Sequence, residues 1–118
     1  MSLGKIDYTN LDFEEIPYTI HVAGVSWEDR QDHIPNLEID SEVYLIRDPN
    51  NQYDKNAISV KAIDNIQIGW IPKKIAEVLA PEIDAGIQWQ ARVEKIIGNE
   101  QQLKGVLIKL FLSKDYMI

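Results

Sequence analysis

A chain of 118 residues fits one domain and is long enough to bury a single core without staples. Twelve basic against nineteen acidic residues leave a net charge of −7, which counts against non-specific duplex binding, because clustered Lys and Arg supply most such affinity. The lack of cysteine excludes disulfides and thiolate chemistry and points to a reducing compartment.

No apolar run approaches the roughly 20 residues that span a bilayer. The amino terminus has no basic segment followed by an apolar stretch, so a secretory signal is not supported. The expectation is a cytoplasmic protein with no membrane partner.

Residues 1–17 carry Asp7, Asp12, Glu14 and Glu15 without a period and read as an acidic arm, with Leu11, Phe13 and Ile16 available to dock. The domain proper is expected over 18–118. Tyr18 to Ser26 reads as a strand, with Ile20 and Val22 on one face and His21, Ala23 and Val25 on the other. Two apolar faces predict a central strand, and Gly24 within it marks a bulge or a close approach of another backbone. Trp27 to Leu37 is polar and reads as a loop or one short helical turn.

Glu42 to Arg47 is a strand by content. Ala57 to Ile63 and Ile66 to Ile71 alternate as a hairpin, with Asp64-Asn65 as a two-residue turn in which both residues tolerate positive φ. Pro72 opens a helix to Leu79, with Ile75, Ala76, Leu79 and Ala80 at helical spacing; Pro81 interrupts or restarts it and Gly86 ends it. Ile87 to Ile97 is a long strand whose alternation breaks at Ile96-Ile97, predicting a bulge there. Gly98 to Gln102 is a hairpin loop, and Leu103 to Ser113 closes the chain's sheet. Six short strands and one principal helix predict a mainly β domain, either a strongly bent sheet or a partly closed barrel.

Enzyme signatures are missing. There is no Gly-rich phosphate loop, no Gly-x-Ser-x-Gly elbow and no His-x-x-x-His pair. Asp48, Asn50, Gln52 and Asp54 have alternating oxygens, but a calcium loop would want Gly at Tyr53 and Glu at Ser59. No catalytic residue, metal or cofactor is therefore assigned.

The stretch from Arg47 to Ala57 is different. Pro49, Asn50, Asn51 and Asn56 all suit turns, and Tyr53 sits among them with no apolar neighbour. Either Tyr53 folds back onto the barrel, or this is a binding loop on a rigid scaffold. Tyr53 offers a π-face, Asp54 an acceptor, and Asn50 and Asn51 amide groups. Trp70, Lys73 and Lys74 lie at a strand-to-helix junction, where a cation and a helix amino terminus attract phosphate. Read as structure alone, Trp70 is a core aromatic and the lysines a solvated face.

Three segments together resemble the HIRAN domain: Val22-Ala23-Gly24-Val25, the run Leu45-Ile46-Arg47-Asp48-Pro49-Asn50-Asn51-Gln52-Tyr53-Asp54-Lys55-Asn56-Ala57, and Ile68-Gly69-Trp70-Ile71-Pro72-Lys73-Lys74. The resemblance runs from about Tyr18 to Ser113. It implies a six-stranded OB-like/SH3-like β-barrel with one or two helices. Members of the family occur fused to helicase-like remodellers and nucleases in DNA repair, and as stand-alone bacterial proteins.

The best understood relatives bind single-stranded DNA at a free 3′ end. By that resemblance Tyr53 stacks on a terminal base and Asp54 accepts from the 3′-hydroxyl. Asn50 and Asn51 hold the adjacent nucleotide, Lys73 meets a phosphate and Trp70 lines the pocket. His21 stands on the first strand where relatives place a second stacking aromatic, and the hairpin 98–102 carries no aromatic or basic residue.

The expected function is thus non-enzymatic recognition of a single-stranded DNA 3′ end, in repair or stalled-fork processing, beside a helicase or nuclease partner. The alternative is a protein-interaction or regulatory module whose DNA pocket has been lost. An exposed Tyr53 sharing one groove with Asp54, Trp70 and Lys73 favours the first. A buried Tyr53 in an acidic groove favours the second.

Overall fold

A computed structural model describes residues 18–98 and 103–112. The acidic arm and most of the 98–102 loop lie outside the described residues. Six strands form one antiparallel sheet: β1 (Tyr18–His21), β2 (Glu42–Arg47), β3 (Ile58–Ala62), β4 (Ile66–Trp70), β5 (Trp89–Ile97) and β6 (Gly105–Leu112). Two helices accompany them, α1 (Arg30–His33) and α2 (Lys73–Asp84). The strand order is β1-β6-β5-β2-β3-β4.

Period-two patterning decides which face curls inward. On β5, Trp89, Ala91 and Val93 are buried while Gln90 and Arg92 are exposed; on β6, Val106, Ile108, Leu110 and Leu112 are buried. Ile58, Val60 and Ile68 meet them from the hairpin, and Ala76, Leu79 and Ala80 of α2 join the same core. Each Val, Leu or Ile among them contributes about 1.5–3 kcal/mol on burial.

The first strand corrects one expectation. Its ladder with β6 ends at His21 and it lies at one end of the sheet order, not in the centre. The apolar character of both faces has another cause, because the chain beyond β1 closes the curl. Val22 N–H donates to Val106 O at 2.9 Å, Ala23 N–H to Trp70 O at 2.7 Å, and Trp70 N–H back to Ala23 O at 2.9 Å. Residues 22–23 therefore have neighbours on both sides.

Gly69 permits this closure, since a Cβ there would collide with the Ala23 carbonyl oxygen and the Val22 side chain. The close backbone approach expected at Gly24 thus falls at Gly69. Gly24 instead has φ +71° and turns the chain out of the strand.

Other differences are local. Pro81 sits inside α2, on its exposed side, and the helix continues past it to Asp84. Its ring nitrogen has no hydrogen to donate, so one helix bond cannot form there. Gly86, at φ +96°, then ends the helix, with Gly86 N–H on Ile83 O and Ile87 N–H on Glu82 O, both at 3.0 Å. The bulge in β5 lies between Val93 and Lys95, at Glu94, two residues before the Ile96-Ile97 step at which the alternation breaks. Thr19 Oγ1 meets the extra residue there, donating to Glu94 Oε2 at 2.6 Å. Asp64 and Asn65 take φ of +63° and +62°, as the hairpin turn requires. Among the described residues, no helix is long and apolar enough to cross a membrane.

Candidate functional site

The loop between β2 and β3 is built by its own polar side chains. At its base Arg47 donates from Nη1 to Ala57 O at 2.7 Å and from Nη2 to Lys55 O at 3.1 Å. The same guanidinium grips Asp84 at the end of α2, at 3.0 and 3.2 Å, so one planar fork ties both loop and helix to the sheet. Inside the loop, Asn51 Oδ1 accepts the N–H of Tyr53 at 2.9 Å and of Asp54 at 3.1 Å, while Nδ2 donates to Asp48 Oδ2 at 3.1 Å. Asp54 Oδ1 accepts Asn56 N–H at 2.9 Å. These are the side-chain-to-backbone bonds that let Asn and Asp stand in for regular turn partners.

With the backbone so held, Tyr53 points away from the barrel and is 85% exposed. It does not fold back onto the core. Asp54 is half-buried, and its second oxygen carries no hydrogen bond among the described residues.

A surface cavity of about 490 Å³ lies beside this loop. Five predicted residues line it: Asn51, Tyr53, Asp54, Trp70 and Lys73. Trp70 is half-buried rather than sealed in the core, because it ends β4 where the sheet closes on Ala23. Lys73 is exposed at the first position of α2 and makes no ion pair among the described residues. The first-turn N–H groups of such a helix lack intrahelical acceptors and carry partial positive charge.

Two predicted residues fall elsewhere. Asn50 is exposed on the loop and does not line the cavity. His21 is exposed on β1 opposite Leu107, on the face away from Ile20 and Val22, and is likewise not in the cavity wall. Ala23, two residues on, occupies that wall instead.

Sequence reading missed three residues on the opposite approach. Glu28 and Arg30 line the cavity. Trp27 is 69% exposed, and its ring meets the same point as Trp70 and Arg30. A Cβ built on Gly24 would lie 3.1 Å from Arg30 Nη1, 3.4 Å from Trp70 Cδ1 and 3.8 Å from Trp27 Cδ1. The turn carrying them is pinned by Gln31, whose amide donates to Val25 O and Lys104 O and accepts Lys104 N–H, and by fully buried Ile34. Arg30 stands in a charge-rich stretch, Glu28 to His33, that reads as solvated. Nothing local marks one arginine of it as buried.

Among the described residues the cavity thus joins two aromatic rings, two cations and two carboxylates, in a molecule of net charge −7. A second surface cavity of about 520 Å³, between β2, β5 and the end of α2, has no basic residue among the described residues of its wall.

The curled six-stranded sheet closed by its first strand is an OB-like fold. Residues 18–113 match the HIRAN domain, and the chain belongs to the HIRAN domain family. Among solved structures, the HIRAN domain of human HLTF is similar with a TM-score of 0.65 at 30% identity, over 84% of this chain and 77% of that one. A protein from Lactobacillus plantarum also gives a TM-score of 0.65, at 28% identity over 81% of this chain and 95% of that one. The Fanconi-associated nuclease 1 homolog of Arabidopsis thaliana is 34% identical over 95 residues, which is 79% of this chain and 10% of that protein. The human helicase-like transcription factor is 42% identical over 55 residues, 47% of this chain and 5% of that protein. The chain therefore spans a tenth or less of these curated relatives.

Proposed function

We propose that residues 18–118 form a non-catalytic module that binds single-stranded DNA and recognises a free 3′ end. It would act in the cytoplasm, in DNA repair or stalled-fork processing, with the acidic arm 1–17 outside the binding domain. The observation that carries this reading is Tyr53, held out in solvent by Asn51 at the rim of a cavity that also contains Asp54, Trp70 and Lys73.

Each side chain then has a role set by its chemistry. Tyr53 stacks on the terminal base, an interaction of about 1–3 kcal/mol that tolerates any base. The free Asp54 oxygen accepts the 3′-hydroxyl, a bond to a charged group contributing about 1.5–3 kcal/mol. The same carboxylate repels a 3′-phosphate. Lys73 and the start of α2 take a phosphate of the strand. Trp27, exposed beside Gly24 next to the cavity, offers a second aromatic face in place of His21. Asn51 acts by shaping the loop, and Asn50 is left as a contact to the next nucleotide. The names of the relatives, a nuclease homolog and a helicase-like factor, support a partner of that class.

One observation favours protein docking instead. Tyr44, Ile46 and Ile63 are exposed together on the outer face of the sheet. Fluorescence anisotropy with a short labelled strand at low salt separates the readings. A free 3′-hydroxyl strand is expected to bind more tightly than its 3′-phosphorylated copy, and binding to neither would leave only the docking role.

A further inference from the structure

We infer that Arg30 is a phosphate-binding cation of this cavity, and that Glu28 is an anionic gate which an incoming phosphate displaces from it. The inference rests on the proposed binding of a single strand and names a contact that reading does not contain.

The Arg30 side chain is only 7% exposed, yet its hydrogen bonding is incomplete. Nη1 donates to Gly24 O at 2.7 Å and Nη2 to Glu28 Oε1 at 3.2 Å. Nε is buried with no partner among the described residues. A buried guanidinium with an unused donor is costly, and proteins rarely keep one that nothing satisfies.

Its counter-ion is weakly held. The Glu28 carboxylate is 72% exposed and, among the described residues, makes a single bond of 3.2 Å, the geometry of a pair that contributes little. Glu28 also has φ +56°, in the left-handed region that a residue other than glycine, Asn or Asp seldom adopts. A strained turn that sets a carboxylate against a buried arginine, in the wall of a ligand cavity, suits an exchangeable counter-ion.

Phosphate is the ligand chemistry that fits. It presents several strong acceptors to a planar fork, and it matches Nε together with the Nη2 that Glu28 would release. The terminal nucleoside lies at Tyr53 and Asp54, so the phosphodiester beside it is the group whose charge Arg30 completes. Glu28 then works against binding in the empty protein. In an acidic molecule it also selects against anions too weak to displace it.

The test is an anisotropy titration of one 3′-hydroxyl strand against wild type, Glu28→Gln, Arg30→Gln, Arg30→Lys, the double variant Glu28→Gln/Arg30→Gln, and Tyr53→Ala. Glu77→Gln, an exposed α2 carboxylate outside the cavity, controls for net charge. Thermal melts accompany each variant. Glu28→Gln is expected to tighten binding roughly threefold to fivefold, the scale of an exposed ion pair. Arg30→Gln is expected to weaken it about thirtyfold or more. The gain from Glu28→Gln should vanish when Arg30 is absent.

Arg30→Lys, which keeps the charge and loses the fork, should stay well below wild type even where Arg30→Gln melts early. The dependence on salt should fall by about 0.7 in log–log slope for Arg30→Gln, one single-strand phosphate contact, and should stay near the wild-type slope for Arg30→Lys, which keeps the charge. If wild type binds and Tyr53→Ala does not, while Glu28→Gln matches Glu77→Gln and folded Arg30→Lys binds as wild type, the gate is overturned and end binding stands. If wild type binds no strand, both fall.

Discussion

The side-chain oxygen of Asn51 accepts the backbone N–H of Tyr53 at 2.9 Å, and this bond turns the tyrosine ring out into solvent. Because the same oxygen takes Asp54 N–H at 3.1 Å, one amide sets the aim of both residues proposed to meet the DNA end. Asn51→Ala is expected to cost about 1 kcal/mol of stability, the scale of one net hydrogen bond. It should weaken strand binding by more than that loss alone explains, because Tyr53 and Asp54 lose their fixed geometry together. Denaturant melts beside anisotropy titrations check this; unchanged affinity would remove Asn51 from the loop's design.

Arg47 works at the other end of the same loop, bonding Ala57 O, Lys55 O and Asp84 at once. Arg47→Lys keeps the charge but cannot span these acceptors with a planar fork. A stability loss of about 1–3 kcal/mol is expected, with faster amide hydrogen exchange confined to 48–57 and the end of α2. Exchange that rises evenly over the whole chain would argue that Arg47 stabilises the core rather than the loop.

Gly69→Ala tests the closure of the barrel. The added methyl meets the Ala23 carbonyl and Val22, both part of the segment that seals the sheet. The expected cost is about 1–3 kcal/mol, as for overpacking in a filled site, with Trp70 fluorescence altered. A variant as stable as wild type would mean that residues 22–23 do not seal the sheet as described.

Tyr18 gives a pH dependence. Its hydroxyl is buried without a hydrogen-bond partner among the described residues. Burial first, and the nearby Glu82 carboxylate second, raise its pKa above the ordinary 10.0. Below pH 10.0 the phenol is protonated in both folded and unfolded chains. Above it the unfolded chain gives up the proton first, so the stability Tyr18 contributes is lost as pH rises through the raised value. Tyr18→Phe removes both the unpartnered hydroxyl and the titration. It is expected to match or exceed wild type at neutral pH and to lose less stability in alkali, by denaturant melts across pH 7 to 11.

Much of the fold was legible because it is local. Alternation marked β5 and the hairpin from Ile58 to Trp70, the polar 98–102 loop set off β6 as the closing strand, the Asp64-Asn65 turn took the positive φ its residues tolerate, and Gly86 ended α2. The loop around Tyr53 was legible for the same reason, since Asn51 and Asp54 shape it within six residues. What escaped depends on distant chain. Residues 22–23 resemble a central strand because they are bracketed by Val106 and Trp70, far away in sequence. Pro81 stays within α2 because Leu79 and Ala80 are anchored in the core. Arg30 is buried by the turn that Gln31 staples to Lys104, 73 residues on, and the same turn sets Trp27 beside Gly24, which Trp70 also approaches.

The most direct test of end recognition at this cavity is a two-dimensional amide NMR titration with a short 3′-hydroxyl strand at low salt. The largest shifts are expected at Tyr53, Asp54 and Lys73 and at the indole N–H groups of Trp27 and Trp70, reversed in part by a 3′-phosphate. Shifts gathered instead around Tyr44, Ile46 and Ile63, or none at saturating strand, would contradict it.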